Sequence, residues 1–311
     1  MSEETVNDQN TTQETAQETA QETTQADPAE SCNSACSSCA EDCSSRTAPP
    51  KTQTNAQSNI KHAIAIVSGK GGVGKSLVTS MIATALHRRG LSIGVLDADI
   101  TGPSIPKVFG IEDKLRANEF GILPSESQGG IKVVSTNLVL PEDTTPVLWR
   151  GAVISGIVKQ FYSEVVWGDI DYLLIDMPPG TGDVPLTVYQ SISIDGVIIV
   201  TAPQDLVSMI VGKAINMART MNVPVLGIVE NMSYFECPDC ASKHEIFGAS
   251  KIAAIAEEYG IERTAQIPIL PDLASHMDAG KVEDMVIAAL DAFVSEVIGN
   301  ESNNKAQEAS E

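Results

Sequence analysis

Ser68–Ser76 reads SGKGGVGKS. Its last eight letters fit G-x-x-x-x-G-K-[ST], the pattern of a loop whose backbone N–H groups close on phosphate oxygens. The context agrees. Before it lies HAIAIV (62–67), an apolar, β-branched run of strand character. After it lies SLVTSMIATALH (76–87), with helical periodicity. Strand, glycine loop and helix in that order aim the positive end of a helix at the same phosphates. Gly69, Lys70, Gly71, Gly72, Val73 and Gly74 form the cradle. Lys75 is placed to neutralise phosphate charge, and the Ser76 hydroxyl to ligate Mg²⁺. Lys70 is a second lysine that the pattern does not require.

Working outward, the same alternation repeats. SIGVLDAD (92–99), DYLLIDMPPG (171–180), GVIIVTAPQ (196–204) and VLGIVENMS (225–233) are apolar runs ending in polar or glycine-rich residues. LVSMIVGKAINMARTM (206–221) and ASKIAAIAEEYG (249–260) are helical stretches between or after them. Apolar strands alternating with helices imply an α/β fold, a doubly wound and mostly parallel sheet with helices on both faces. Ligands of such sheets sit at the C-terminal ends of the strands. Gly90 is the expected C-cap of the helix after the loop.

Two acidic strand ends join the loop. Asp176 follows four apolar residues in YLLID, as a carboxylate near Mg²⁺ requires. Asp97 and Asp99 end the neighbouring strand, and alternation puts them on one side of the chain. One can face the metal, and the other, Asp99, an attacking water.

Charge and composition limit the partners. The net charge of −21 argues against nonspecific nucleic-acid binding and against docking on anionic lipid. No apolar run reaches the roughly 20 residues that span a bilayer. The start, MSEETVNDQN, lacks the basic and apolar parts of a secretion signal. A cytoplasmic protein is expected. Residues 1–60 read as an acidic, disordered tail and linker, with the polar repeat QETAQETAQETT (13–24). Residues 61–299 read as one globular region, and 300–311 as a second polar tail.

The six cysteines are clustered. Cys32, Cys36, Cys39 and Cys43 lie in CNSACSSCAEDC, and Cys237 and Cys240 in CPDC. In a reducing compartment such clusters point to metal or redox chemistry rather than structural disulfides. CPDC alone admits a redox dithiol, or a zinc site with His244 as a third ligand, or half of a [4Fe–4S] site completed by a second chain. The four tail cysteines fall within a wedge of about 60° on a helix, but Cys32 and Cys43 would then lie about 16 Å apart. One metal centre holding all four therefore needs the segment to wrap round it.

KGGVGKS, DADITGPSIP (97–106) and DMPPGTGD (176–183) together resemble the deviant Walker A ATPases. With WRGAVISG (149–156) and VENMSYFECPDC (229–240), the chain closely resembles the Mrp/ApbC family of iron–sulfur cluster carriers. The resemblance covers nearly the whole globular region. It implies a homodimer in which Lys70 reaches the partner's nucleotide, so that hydrolysis depends on pairing. It implies ATP, with Asn231 reading adenine, and QIPILPD (266–272) is expected to pack against the base. It further implies a labile [4Fe–4S] cluster bridged by the CxxC pairs of two subunits and passed from a donor to apo iron–sulfur proteins. Eukaryotic relatives carry a four-cysteine N-terminal cluster with wider spacing than Cys32–Cys43. Two other classes compete: partition and cell-division ATPases, and dimeric iron proteins that transfer electrons. The first needs a basic patch or membrane helix, and the C-terminal KVEDMVIAALDAFVSEVIG (281–299) is acidic. The second holds its cluster with separated single cysteines.

Overall fold

The computed structural model describes residues 51–308 apart from 101, 103, 141–150 and 204–206. Cys32, Cys36, Cys39, Cys43 and the polar repeat lie outside the described residues, as do Trp149 and Arg150. In chain order the elements are β1 (Ser58–Val67), α1 (Lys75–His87), β2 (Ile93–Asp97), α2 (Ile105–Val108), β3 (Arg116–Asn118), β4 (Gly121–Leu123), β5 (Ser125–Glu126), β6 (Lys132–Val134), α3 (Gly151–Glu164) and β7 (Gly168–Asp176). Then follow α4 (Asp183–Ser191), β8 (Gly196–Thr201), α5 (Val207–Thr220), β9 (Val225–Glu230), β10 (Phe235–Glu236), β11 (Lys243–His244), α6 (Ile252–Tyr259), β12 (Thr264–Gln266), α7 (Leu273–Asp278) and α8 (Ala288–Glu308).

Eight strands form one sheet in the order β12-β9-β8-β1-β7-β2-β6-β5. All its pairs are parallel except the edge pair β5–β6. The doubly wound reading holds. The inner strands are apolar on both faces because helices cover both. Ile64 and Ile66 of β1 pack with α1, α2 and the start of α8, while Ala65 and Val67 pack with α3 to α6. Register sets the site: Ile66 of β1 and Asp97 of β2 both lie opposite Asp176 of β7. Three strands therefore end together, and their following loops converge.

Three details differ from the sequence reading. β1 begins at Ser58, and residues before it are tied to the domain rather than forming a free linker. Lys51 Nζ donates to the carbonyls of Tyr189 and Ile192 at 2.5 and 3.1 Å, and the Thr52 N–H donates to Ser191 O at 2.7 Å. A lysine at the carbonyl end of α4 satisfies groups the helix leaves open and opposes its dipole. α8 runs through Glu308, past the expected end of order at residue 299. Finally, α1 stops at His87 with Arg88 as its C-cap, and Gly90, at φ +80°, closes the turn beyond it. Among the described residues, no helix is long and apolar enough to cross a membrane.

Candidate functional site

The loop between β1 and α1 takes the expected shape. Gly72 and Gly74 hold φ of +81° and +79°, which side chains other than glycine rarely adopt. A Cβ on Gly69 would collide with Ile210 of α5, so the loop is also pressed against a helix. Behind it, DMPPG crosses from β7. The Gly180 N–H donates to Ser68 O at 2.8 Å, and Met177 N–H to Ile66 O at 3.1 Å.

The sequence-selected charges meet at this point. Lys75 is buried, and its ammonium lies 2.8 Å from Asp176 Oδ2 and 3.8 Å from Asp99 Oδ2. Ser76 Oγ donates to Asp176 Oδ2 at 2.5 Å. Thr79, one turn on, donates to Asp176 Oδ1 at 2.7 Å. Asp176 thus has both oxygens occupied and no exposed surface. Asp97 is equally deep. It accepts from Ser135 Oγ at 3.0 Å and from the Asp99 N–H at 3.2 Å. Burial first, and then the nearby Asp176 carboxylate, push the Asp97 carboxyl up to about 8, against the pull of Lys75 and Ser135. Even with Asp97 holding its proton, Asp99 and Asp176 outnumber the one buried ammonium, and a divalent cation would neutralise the excess and favour release of that proton. Ser76, Asp97 and Asp176 therefore fit a Mg²⁺ site. A cavity of about 230 Å³ opens in front, lined by the P-loop with Lys70, Asp99, Ser104, Pro179 and Met277.

Asn231, expected to read adenine, is engaged with backbone. It is buried under the loop. Its Nδ2 donates to Val73 O at 3.0 Å, and its Oδ1 accepts from the Met232 N–H at 2.9 Å. Both ends of the amide are engaged, and it does not line the cavity. The end of β9 comes so close beneath the P-loop that the side chain reaches backbone first: a Cβ on Gly74 would sit 2.3 Å from Asn231 Nδ2.

CPDC forms the turn of a hairpin, β10–β11, with Phe235 opposite His244. The Ala241 N–H donates to Cys237 O, and the Cys237 N–H to Ser242 O, closing the turn. Cys240 is exposed and Cys237 half-buried, and both are free thiols. The Ser242 hydroxyl first, then the Ser242 backbone and the Cys237 side chain, hold the Cys240 thiol below its ordinary range. His244 lies beyond Ser242, whose Oγ is 2.9 Å from Cys240 Sγ and 3.1 Å from His244 Nε2. Among the described residues, no third His, Cys, Asp or Glu group joins the two thiols to make a metal site. The chain by itself thus offers two thiols on an exposed turn.

Thr79, Ser135, Glu230 and Ser233 escaped the sequence reading. Thr79 and Ser135 find their carboxylate partners far along the chain, and Ser233 and Glu230 pair locally without a motif to mark them.

A family model described as the NUBPL iron-transfer P-loop NTPase, of ParA type, matches residues 59–300. The chain belongs to this family. A protein of Methanocaldococcus jannaschii named iron-sulfur cluster carrier protein is 50% identical over 241 residues, covering 77% of this chain and 82% of its own. One of the same name from Clostridium perfringens is 45% identical over 250 residues, covering 78% and 87%. A solved nucleotide-binding protein from Archaeoglobus fulgidus, in complex with ADP and with cobalt found by PIXE, is 44% identical. It covers 75% of this chain and 92% of its own, at a TM-score of 0.69. The cell-division ATPase MinD of Pyrococcus furiosus, at 20% identity and a TM-score of 0.56, shares the fold. Membership of the NUBPL-type family agrees with the resemblance drawn from KGGVGKS, DMPPGTGD and VENMSYFECPDC.

Proposed function

We propose that this chain is a cytoplasmic, ATP-hydrolysing carrier of iron–sulfur clusters that works as a homodimer. The observation that carries this reading is the joint presence of two sites on one parallel sheet. Lys75, Ser76, Asp97, Asp99 and Asp176 gather round the P-loop, and two free thiols stand on the hairpin that begins at Phe235, after β9 has ended at Glu230. The names of the relatives from Methanocaldococcus and Clostridium support the cargo, and the ADP complex of the Archaeoglobus protein supports the nucleotide.

In this reading Lys75 leaves Asp176 for the β/γ-phosphates when ATP enters, and the P-loop N–H groups take the remaining oxygens. Ser76, Asp97 and Asp176 hold Mg²⁺, which would screen the phosphate charge. Asp99 orients the attacking water. Lys70, at the cavity mouth, reaches the nucleotide of the second subunit, where a cation in trans stabilises the charge of the transferred group. Asn231 supports the loop from beneath through its bond to Val73 O.

The cargo is a [4Fe–4S] cluster, which needs four cysteine ligands. Cys237 and Cys240 supply two, and a second copy supplies the other two. The lowered Cys240 thiol favours the thiolate that binds iron. An exposed turn suits a cluster that must leave for an apo-acceptor. Cys32, Cys36, Cys39 and Cys43 are proposed as a second, tail-borne metal centre.

The test replaces Cys237 and Cys240 together by serine in the full chain. ATP hydrolysis should persist at close to the normal rate, while cluster transfer to an apo-ferredoxin falls to background. Transfer that survives the double substitution rejects the hairpin as the carrier site.

A further inference from the structure

Three buried polar residues lie between the phosphate loop and the thiol hairpin. Glu230 has no exposed surface, Ser233 is 2% exposed and Asn231 3%. Such groups are costly to bury and are retained where each has a partner. Their bonds run in one direction along the chain. Val73 of the P-loop accepts from Asn231 Nδ2. Asn231 Oδ1 accepts from the N–H of Met232, which holds φ +55°, a conformation unusual for a residue other than glycine. Ser233 Oγ donates to Glu230 Oε2 at 2.6 Å, and Gln266 Nε2 donates to the same oxygen at 3.3 Å. The Ser233 N–H donates to Ile267 O at 2.9 Å, and the Ile269 N–H to Tyr234 O at 2.7 Å. The next residue, Phe235, begins the hairpin that carries Cys237 and Cys240.

The connection is stiff at its loop end. Gly74 and Asn231 are packed so closely that a single Cβ does not fit. It is stiff at its hairpin end too, where residues 233–234 are bonded to 267–269 on one side and to Glu230 on the other. Between them only Met232 departs from ordinary backbone. A shift of the Gly72–Gly74 backbone around phosphate would press on Asn231, and the bonded stretch through Tyr234 is the path by which it would reach Phe235. Glu230 Oε1 has no hydrogen-bond partner among the described residues, so this carboxylate has spare acceptor capacity for a second arrangement of the Ser233 segment.

We infer that Glu230–Tyr234 is a connector through which nucleotide at the P-loop changes the presentation of the CPDC thiols, with Ser233 as its positioning residue. The inference rests on the proposed nucleotide site and names how that site regulates the thiols. Coupling of this kind is a difference in free energy between two states, and is reciprocal. The test measures that coupling.

The test uses the reduced, cluster-free full chain. Alkylation of Cys240 by iodoacetamide is timed by peptide-resolved mass spectrometry, with and without Mg²⁺ and a non-hydrolysable ATP analogue. The wild-type rate should change by at least about fivefold on binding. Ser233→Ala should bind the analogue with wild-type affinity yet bring that ratio close to one, and Ser233→Thr, which keeps the hydroxyl, should restore it. A wild-type ratio of one with the analogue bound, or a full ratio in Ser233→Ala, overturns the connector and leaves the nucleotide site standing. Failure of the wild type to bind the analogue overturns both. If Ser233→Ala does not fold, hydrogen exchange in the wild type decides. Amides of 232–236 and 267–269 should change protection when the analogue binds, and unchanged exchange there overturns the inference.

Discussion

Lys75 shows how much one side chain decides. Its ammonium pairs with Asp176 and Asp99 and acts on Asp97, and in the proposed function it is the group that turns to phosphate. Lys75→Ala is expected to weaken ATP binding by at least about a hundredfold, since a buried charge-assisted contact is lost, as read by titration calorimetry. Lys70→Ala should keep most of the binding and lose hydrolysis. Mixed in equal amounts with Asp99→Asn, it should recover about a quarter of wild-type turnover. Half of the randomly formed dimers then carry one site with both groups intact. No recovery would place Lys70 in its own subunit's site. Asp97 gives a pH signature. Its folded carboxyl is pushed up to about 8, above the ordinary range near 3.9. The folded state therefore holds this proton more tightly than the unfolded state, and its stabilising contribution is lost as pH rises from about 4 through about 8. The melting temperature of the nucleotide-free protein should fall across that window, and Asp97→Asn should flatten the fall. An unchanged slope in the variant would assign the loss to other groups.

At the scale of elements, the P-loop and its flanking strand and helix were legible because their signal is contiguous. Glycine spacing, apolar alternation and helical periodicity all occur within Ser58–His87. The strand ends bearing Asp97 and Asp176 were legible for the same reason. What the sequence could not show is long-range. Thr79 and Ser135 hold these carboxylates through hydroxyls that look like any surface serine or threonine. Asn231 was expected at the base, but the approach of β9 beneath the loop is a packing fact, visible only in three dimensions. The hairpin β3–β4 has three residues in each strand, too few for alternation to register. Lys51 and Thr52 join the domain by capping α4, with no apolar residue to announce it. Two predictions follow from these contacts. Gly74→Ala meets both a φ of +79° and the Asn231 amide, so it should cost at least about 1–2 kcal/mol and abolish nucleotide binding, read by denaturant melts and titration. Lys51→Ala should destabilise the domain by about 0.5–1 kcal/mol, read in the same melts, without changing nucleotide affinity.

At the scale of the whole molecule, one chain contains a complete phosphate loop and, in the proposed function, half of a cluster site. Two thiols stand on an exposed turn, and the described residues bring no third metal ligand to them. The central claim is that a second copy completes it. The most direct measurement is native mass spectrometry of the full chain, with Cys32, Cys36, Cys39 and Cys43 replaced by serine, after anaerobic reconstitution with iron and sulfide. The predicted result is a dimer carrying one [4Fe–4S] cluster, with the cluster-loaded monomer absent. A full cluster on a monomer, or zinc bound one per chain in place of iron, would contradict it.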